Sequence, residues 1–327
     1  MGSTLPHGNY PLLHALEWGY RCRTKPDIDL WLEVLCRHLA MTEDVAVWRV
    51  LVARLGVLGA ALDRNRALEF LKNLFALFPG ALTCVSGVFF LAAAIRWLPS
   101  EFLKRCLRII DGSSWARKDQ GIGEIAMLSV VLKPADEYCR SLVESTVACN
   151  GSEPQAALRR VGIAFASVNL WTEPEFRAKS HATLMKLARR ADEYLPVAVM
   201  DVFRTPRTLP PDAQTRELLS VIADNPDFIQ RGETSFLIDR LKELLADGFD
   251  PSLIAAITKS LLTAGGSALG DIRTSWAADA RDLIEITITL QRIPETRSVG
   301  LDQFETLMDL GAYEASQVLR ELDRRPV

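Results

Sequence analysis

The 327-residue chain has six cysteines but no C-x-x-C pair, four histidines but no H-E-x-x-H, and no G-x-S-x-G around a serine. The first absence removes a dithiol or zinc-ribbon site, the second a metalloprotease helix, the third a serine nucleophile on a strained elbow. Cys36 and His38 lie two apart on an expected helix and so point to different faces, which is wrong for sharing a metal. Phosphate loops fail on their own chemistry. Gly265 and Gly270 have a P-loop interval, but Asp271 stands where lysine is required and would repel phosphate. Gly121-Ile122-Gly123-Glu124-Ile125-Ala126 matches G-x-G-x-x-A, yet no apolar strand precedes it. No cofactor and no metal are expected, and the chain is read as non-enzymatic. Asp279 and Asp282, on one helix face, are expected to be solvated and paired with Arg281 or neighbours.

Targeting signals are also missing. The start, Met1-Gly2-Ser3-Thr4-Leu5-Pro6, has neither the basic nor the apolar region of a signal peptide. Met-Gly-Ser reads as an expression scar, so a piece of a longer chain is expected. The longest uncharged run, Leu74 to Ile95, is broken by Pro79-Gly80 and is read as buried helix of a core, not as a membrane span. Cys22, Cys36, Cys84, Cys106, Cys139 and Cys149 mostly sit in apolar stretches, where a thiol behaves as a small hydrophobe. Free thiols in a cytoplasmic protein follow. Charge of one sign is scarce too: 38 basic against 41 acidic residues leave −3, which argues against a dedicated nucleic-acid binder. Residues 1–119 carry 15 basic and 11 acidic side chains, and the remainder 23 and 30.

What the chain does have is apolar spacing of three and four residues almost everywhere, with 49% hydrophobic content to fill a core. Leu30, Trp31, Val34, Leu35 and Leu39 form one stripe, and Ile238, Leu241, Leu244 and Leu245 another. The alternating run from Ile284 to Leu290 is flanked by helical pattern and is read as helix. Thr172-Glu173-Pro174-Glu175 is a capping box, and Asp250-Pro251 an N-cap followed by proline at the first helical position. About seventeen helices are expected. Grouped in pairs, the first helices begin near residues 11, 43, 81, 120, 154, 192, 234 and 274. The spacing is that of two-helix repeats, and its drift points to an all-α, irregular HEAT-like α-solenoid of stacked helical hairpins. Boundaries are placed at the polar 112–121 segment and the proline-rich 205–211 link. This gives N-terminal repeats over 4–119, middle repeats over 120–204, and C-terminal repeats with a capping segment over 212–327.

One stretch suggests recognition. Arg105, Arg108, Trp115, Arg117 and Lys118 gather around one expected helix end and the loop after it. A tryptophan among cations suits a protein hot spot or base stacking. Against this, Glu101 is four residues before Arg105 and Asp111 three after Arg108, so the arginines could be neutralised along their own helix. The other tryptophans, Trp18, Trp31, Trp48, Trp97, Trp171 and Trp276, fit apolar helix faces.

At the C-terminus the chain reads Arg297-Ser298-Val299-Gly300-Leu301-Asp302-Gln303-Phe304-Glu305-Thr306-Leu307-Met308, then Ala312-Tyr313-Glu314-Ala315 and Leu319-Arg320-Glu321-Leu322-Asp323-Arg324-Arg325. This segment resembles the extreme C-terminus of large bacterial STAND-type ATPases, signal-transducing NTPases with an upstream nucleotide domain and a long helical sensor region. The resemblance implies a role in antiviral defence: the repeats bind a phage-encoded protein, and binding releases ATP-driven oligomerisation of the upstream ATPase. The chain carries no Walker segment, so no active-site residue is transferred from that family. An alternative resemblance, through Trp115, Arg117 and Lys118, is to the HEAT-like alkylpurine glycosylases that cradle DNA. A passive scaffold is a third reading.

Overall fold

The computed structural model describes residues 64–315, apart from 78, 97, 150–152, 172, 191–194, 205–208, 232 and 313–314. The helices expected near residues 11 and 43, the Leu30–Leu39 stripe, Trp18, Trp31, Trp48, Trp97, Cys22, Cys36, His7, His14 and His38 lie outside the described residues. So do Thr172, most of the proline-rich link, and the resemblance segment beyond Ala315.

The fold is all-α and built from helical repeats, with no strand among the described residues. The chain divides into two units, 1–166 and 167–327. In the first, α1 (Arg64–Leu77), α2 (Val85–Ala94), α3 (Ser100–Asp111), α4 (Lys118–Leu132) and α5 (Glu137–Ala148) follow one another, and α6 (Pro154–Trp171) contributes residues to both units. The second continues with α7 (Pro174–Ala188), α8 (Leu195–Met200), α9 (Ala213–Asp224), α10 (Asp227–Arg231), α11 (Thr234–Ala246), α12 (Pro251–Gly265), α13 (Ser275–Arg292) and α14 (Arg297–Asp309). Repeat starts at Val85, Lys118, Pro154, Leu195, Thr234 and Ser275 match the spacing of the sequence pattern. Ile284–Leu290 is helical within α13. The apolar run from Leu74 is broken by a 3₁₀ turn at Pro79–Leu82. One segment among the described residues, Pro251–Gly270, is long and apolar enough to cross a membrane by length and composition.

Packing is local along the chain, as stacked hairpins require. In the first unit α4 packs against α2, α3 and α5. In the second, α7 meets α9, α9 meets α12, α11 meets α13, and α14 closes on α12 and α13. The second unit's core runs through Leu184, Phe203, Leu219, Phe228, Leu241, Ile257, Leu283 and Leu307. Side-chain caps set several helix starts: Asp136, Asp212, Asp250 and Thr274 each accept from a backbone N–H of the first turn. Helix α7 departs from the capping-box expectation. Its N-cap is Glu173, which makes no side-chain cap bond, and Pro174 takes the first turn.

Two glycines fix the crossing of α4 and α6. A Cβ on Gly123 would fall well under 3.0 Å from the Arg159 carbonyl oxygen, and one on Gly162 would do the same to the Gln120 carbonyl. The main chains therefore touch where both side chains are absent. The Gly-x-Gly at residues 121–123 lies inside α4, where Gly123 meets the Arg159 main chain and Gly121 meets the Trp115 ring and Val88. Arg159 adds an ionic tie beside the crossing, meeting the buried Asp119 at 2.8 Å and Asp111 at 2.6 Å.

In the second unit a polar network joins α6, α7 and α9. Trp171 Nε1–H donates to His181 Nδ1 at 3.2 Å. Indole can only donate, so Nδ1 is the acceptor, Nε2 carries the proton, and Nε2–H donates to Glu217 at 2.8 Å. This histidine–carboxylate pair has both ring nitrogens engaged and acts as a tie between helices. Arg177 stacks 4.0 Å over the Trp171 ring and reaches Asp212 and Thr215.

Asp279 corrects the sequence expectation. It is buried, only 6% exposed, and accepts from Ser235 and Thr234 at the start of α11. Helical periodicity marked the position polar but could not show that α11 covers it. Asp282, its neighbour, pairs with Lys242. Burial pushes the Asp279 carboxyl above its ordinary value, with the Ser235 hydrogen bond opposing and the nearby Asp282 and Asp239 charges adding to the rise. A raised value favours the protonated form in the folded state. That contribution is fully present below the ordinary value of 3.8 and is lost as pH rises through the elevated one. Asp279→Asn should therefore flatten this decline and leave the variant more stable relative to wild type above that window. Urea unfolding at a series of pH values checks it, and an unchanged profile would contradict the burial argument.

Gly123→Ala should cost about 1–3 kcal/mol by overpacking against a backbone that cannot yield. Gly112→Ala, whose Cβ meets nothing nearer than 3.5 Å, should change stability far less. Thermal and urea unfolding of the two variants make the comparison.

Candidate protein-binding surface

The first unit carries the residues singled out from the sequence. Helix α3 is sharply two-faced. Phe102, Leu103, Cys106, Leu107 and Ile110 are buried, while Glu101, Lys104, Arg105 and Arg108 follow the opposite side at three- and four-residue intervals. Burial pushes the Cys106 thiol up to about 12, so it is packing material and not a nucleophile. Cys139 is raised to about 12 as well, chiefly by burial, and the four described cysteines are free.

The pairing expected along α3 does not form. Asp111 is taken by Arg159 at 2.6 Å, across 48 residues of sequence, and Glu101 lies 3.9 Å from Lys104. Arg105 and Arg108 make no ion pair with any described residue. They line a groove of about 470 Å³ together with Lys72 of α1, Pro99, Glu101, Phe102 and Lys104.

Trp115 and Arg117 belong to a different depression. The loop after α3 turns through Ser113, whose Oγ donates to the Ile110 carbonyl at 2.7 Å and accepts from Trp115 N–H at 3.3 Å. The indole is thereby laid on Gly121, where a Cβ would meet its ring at 3.1 Å and the Val88 methyl at 2.9 Å. A cleft of about 110 Å³ results, lined by Val85, Phe89, Trp115, Arg117, Gln120 and Glu124 among others. Phe89 is 72% exposed and Val85 60%. Arg117 is exposed and has no partner among the described residues, and burial raises the Glu124 carboxyl above its ordinary range.

The five sequence-derived residues thus split. Arg105 and Arg108 share the groove, and Trp115 and Arg117 share the cleft. Lys118 belongs to neither, because its Nζ donates to the Asp111 carbonyl at 2.6 Å and closes the end of α3. Phe89 and Val85 escaped the sequence reading, which assigned residues 74–95 wholly to core. Helix α2 is apolar on every face, so periodicity carries no sign of which side looks outward. Lys72 was missed because the groove joins α1 to α3, which are distant in sequence, whereas Lys104 stands next to Arg105 on the same helix and was legible there.

Among the described residues, no group of three or more His, Cys, Asp or Glu side chains is placed to hold a metal ion. No family model, curated protein or solved structure matches the chain.

The exposure of Phe89 has a simple consequence. Phe89→Ser should shift stability by no more than about 0.5 kcal/mol, as for other surface substitutions. Leu91→Ala, two residues on and fully buried, should cost about 2–5 kcal/mol. Chemical denaturation of both variants tests whether this helix leaves an apolar side uncovered.

Proposed function

We propose that this chain is a non-enzymatic helical-repeat sensor region that binds a protein ligand and thereby controls an upstream ATPase of the STAND type. The observation that carries the reading is Phe89, 72% exposed on an apolar helix beside Trp115 and Arg117. Exposed aromatic side chains beside arginine are the composition of binding hot spots, where a few anchors in a small depression supply most of the affinity. The C-terminal resemblance supplies the setting: bacterial, cytoplasmic, antiviral, with a phage-encoded protein as ligand. Repeat architecture suits the role, because recognition of a protein needs area and complementary charge, not a nucleophile.

A second reading draws on the groove of Lys72, Lys104, Arg105 and Arg108, namely DNA binding of the alkylpurine-glycosylase kind. The net charge of −3 and the carboxylate of Glu101 in the groove weaken it. A gel shift at low salt separates the two, since DNA binding would appear there and fade with added salt.

The ligand is sought by capture from phage-infected cells and then purified for direct binding. Phe89→Asp combined with Arg117→Glu should weaken that binding roughly tenfold or more while leaving the melting temperature unchanged. A captured protein whose affinity ignores both substitutions would overturn the placement of the surface. Wild-type defence by the parent after deletion of this region would overturn the sensor role.

A further inference from the structure

We propose that the groove between Lys72 and the outer face of α3 receives an acidic segment of the partner polypeptide. This rests on the protein-binding reading and adds to it the chemistry of the ligand. Four cations line the groove against one carboxylate, Glu101. Lys72 is held by Glu69 at 2.6 Å, and Lys104 is placed between Glu101 and the Tyr138 ring, 5.4 Å from its centroid. Arg105 and Arg108 are left uncompensated because the fold diverts Asp111, their nearest downstream carboxylate, to Arg159. An ordinary solvated helix face would have kept that local pair. Here the positive potential is preserved at the cost of an intrahelical salt bridge.

Geometry narrows the ligand further. Lys104 and Arg108 lie one turn apart on α3, about 6 Å along the axis. Carboxylates four residues apart on a partner helix have the same repeat. Guanidinium groups take carboxylates in paired hydrogen bonds, and Pro99 and Phe102 give the groove an apolar lining on which aliphatic stems can lie. Phe102 is itself backed by Phe75, with ring centroids 6.2 Å apart. A phosphodiester strand fits less well, because its charge is unbroken and would press against Glu101.

The full chain is titrated with a fluorescein-labelled oligoglutamate peptide, and separately with labelled single-stranded and duplex DNA, by fluorescence anisotropy at low and physiological salt. Wild type should bind the peptide and lose affinity as salt rises. R105A/R108A, and the milder Arg105→Gln, should lose binding, roughly tenfold for the double variant. Lys259→Ala in the second unit should leave it unchanged. Unaltered melting temperatures are expected for the arginine variants, since both side chains are exposed. Absence of peptide binding, or peptide binding indifferent to Arg105 and Arg108, overturns the proposal. So does DNA binding that is tighter than peptide binding and lost in the same variants. A captured ligand that needs Phe89 and Arg117 but not Arg105 and Arg108 would sink this inference while leaving the protein-binding reading intact.

Discussion

A hairpin of two short helices has more apolar surface than its own partner can cover, and everything in this chain follows from how the excess is shared. Within each unit helices lean mostly on near neighbours in the chain, as α4 does on α2, α3 and α5, and α14 on α12 and α13, so each core is built of overlapping local contacts. Such an arrangement forgives irregular lengths. Helix α8 is six residues long and α10 five, yet α8 packs on α7 and α10, and α10 on α12. The same logic makes an uncovered apolar face conspicuous. Helix α2 is greasy all round, buries Val88, Leu91 and Ala94, and still presents Val85 and Phe89 outward. Nothing local to that helix demands the exposure.

Charge is managed over longer distances than packing. Arg159 reaches from α6 to Asp111 at the end of α3 and to Asp119 at the start of α4, so one guanidinium satisfies carboxylates on two helices. Lys118 seals the carbonyl end of α3 from the other side. The outer arginines of α3 keep their full charge as a by-product of this bracing. In the second unit Lys242 similarly joins Asp282 and Glu285 of α13, and Arg177 joins Trp171 to Asp212. Ion pairs here link helices more than they decorate them.

The pattern of helices was legible because it depends on spacing within ten or fifteen residues. Repeat starts, the break at Pro79, the Asp250 cap and the helical state of Ile284–Leu290 were all visible in that range. Positions whose environment is set by a distant segment were not. Asp279 reads as a surface acid until α11 is laid over it, and Asp111 reads as the partner of Arg108 until Arg159 arrives. Gly123 was legible only as part of a G-x-G-x-x-A run with no apolar strand before it. Its reason lies in Arg159 and Gly162, far along the chain. The candidate surface was half visible: its polar members stood out, whereas Phe89 was hidden by the very uniformity of the helix that carries it.

The touching backbones at Gly123 and Gly162 also have a mechanical meaning. Where helices meet through side chains, rotamer changes let one slide or roll against the other by small steps. At this joint backbone meets backbone at both glycines, which leaves α4 and the 159–162 stretch of α6 little freedom to roll on each other. The Trp115 loop leads directly into α4 and is therefore anchored close to this crossing.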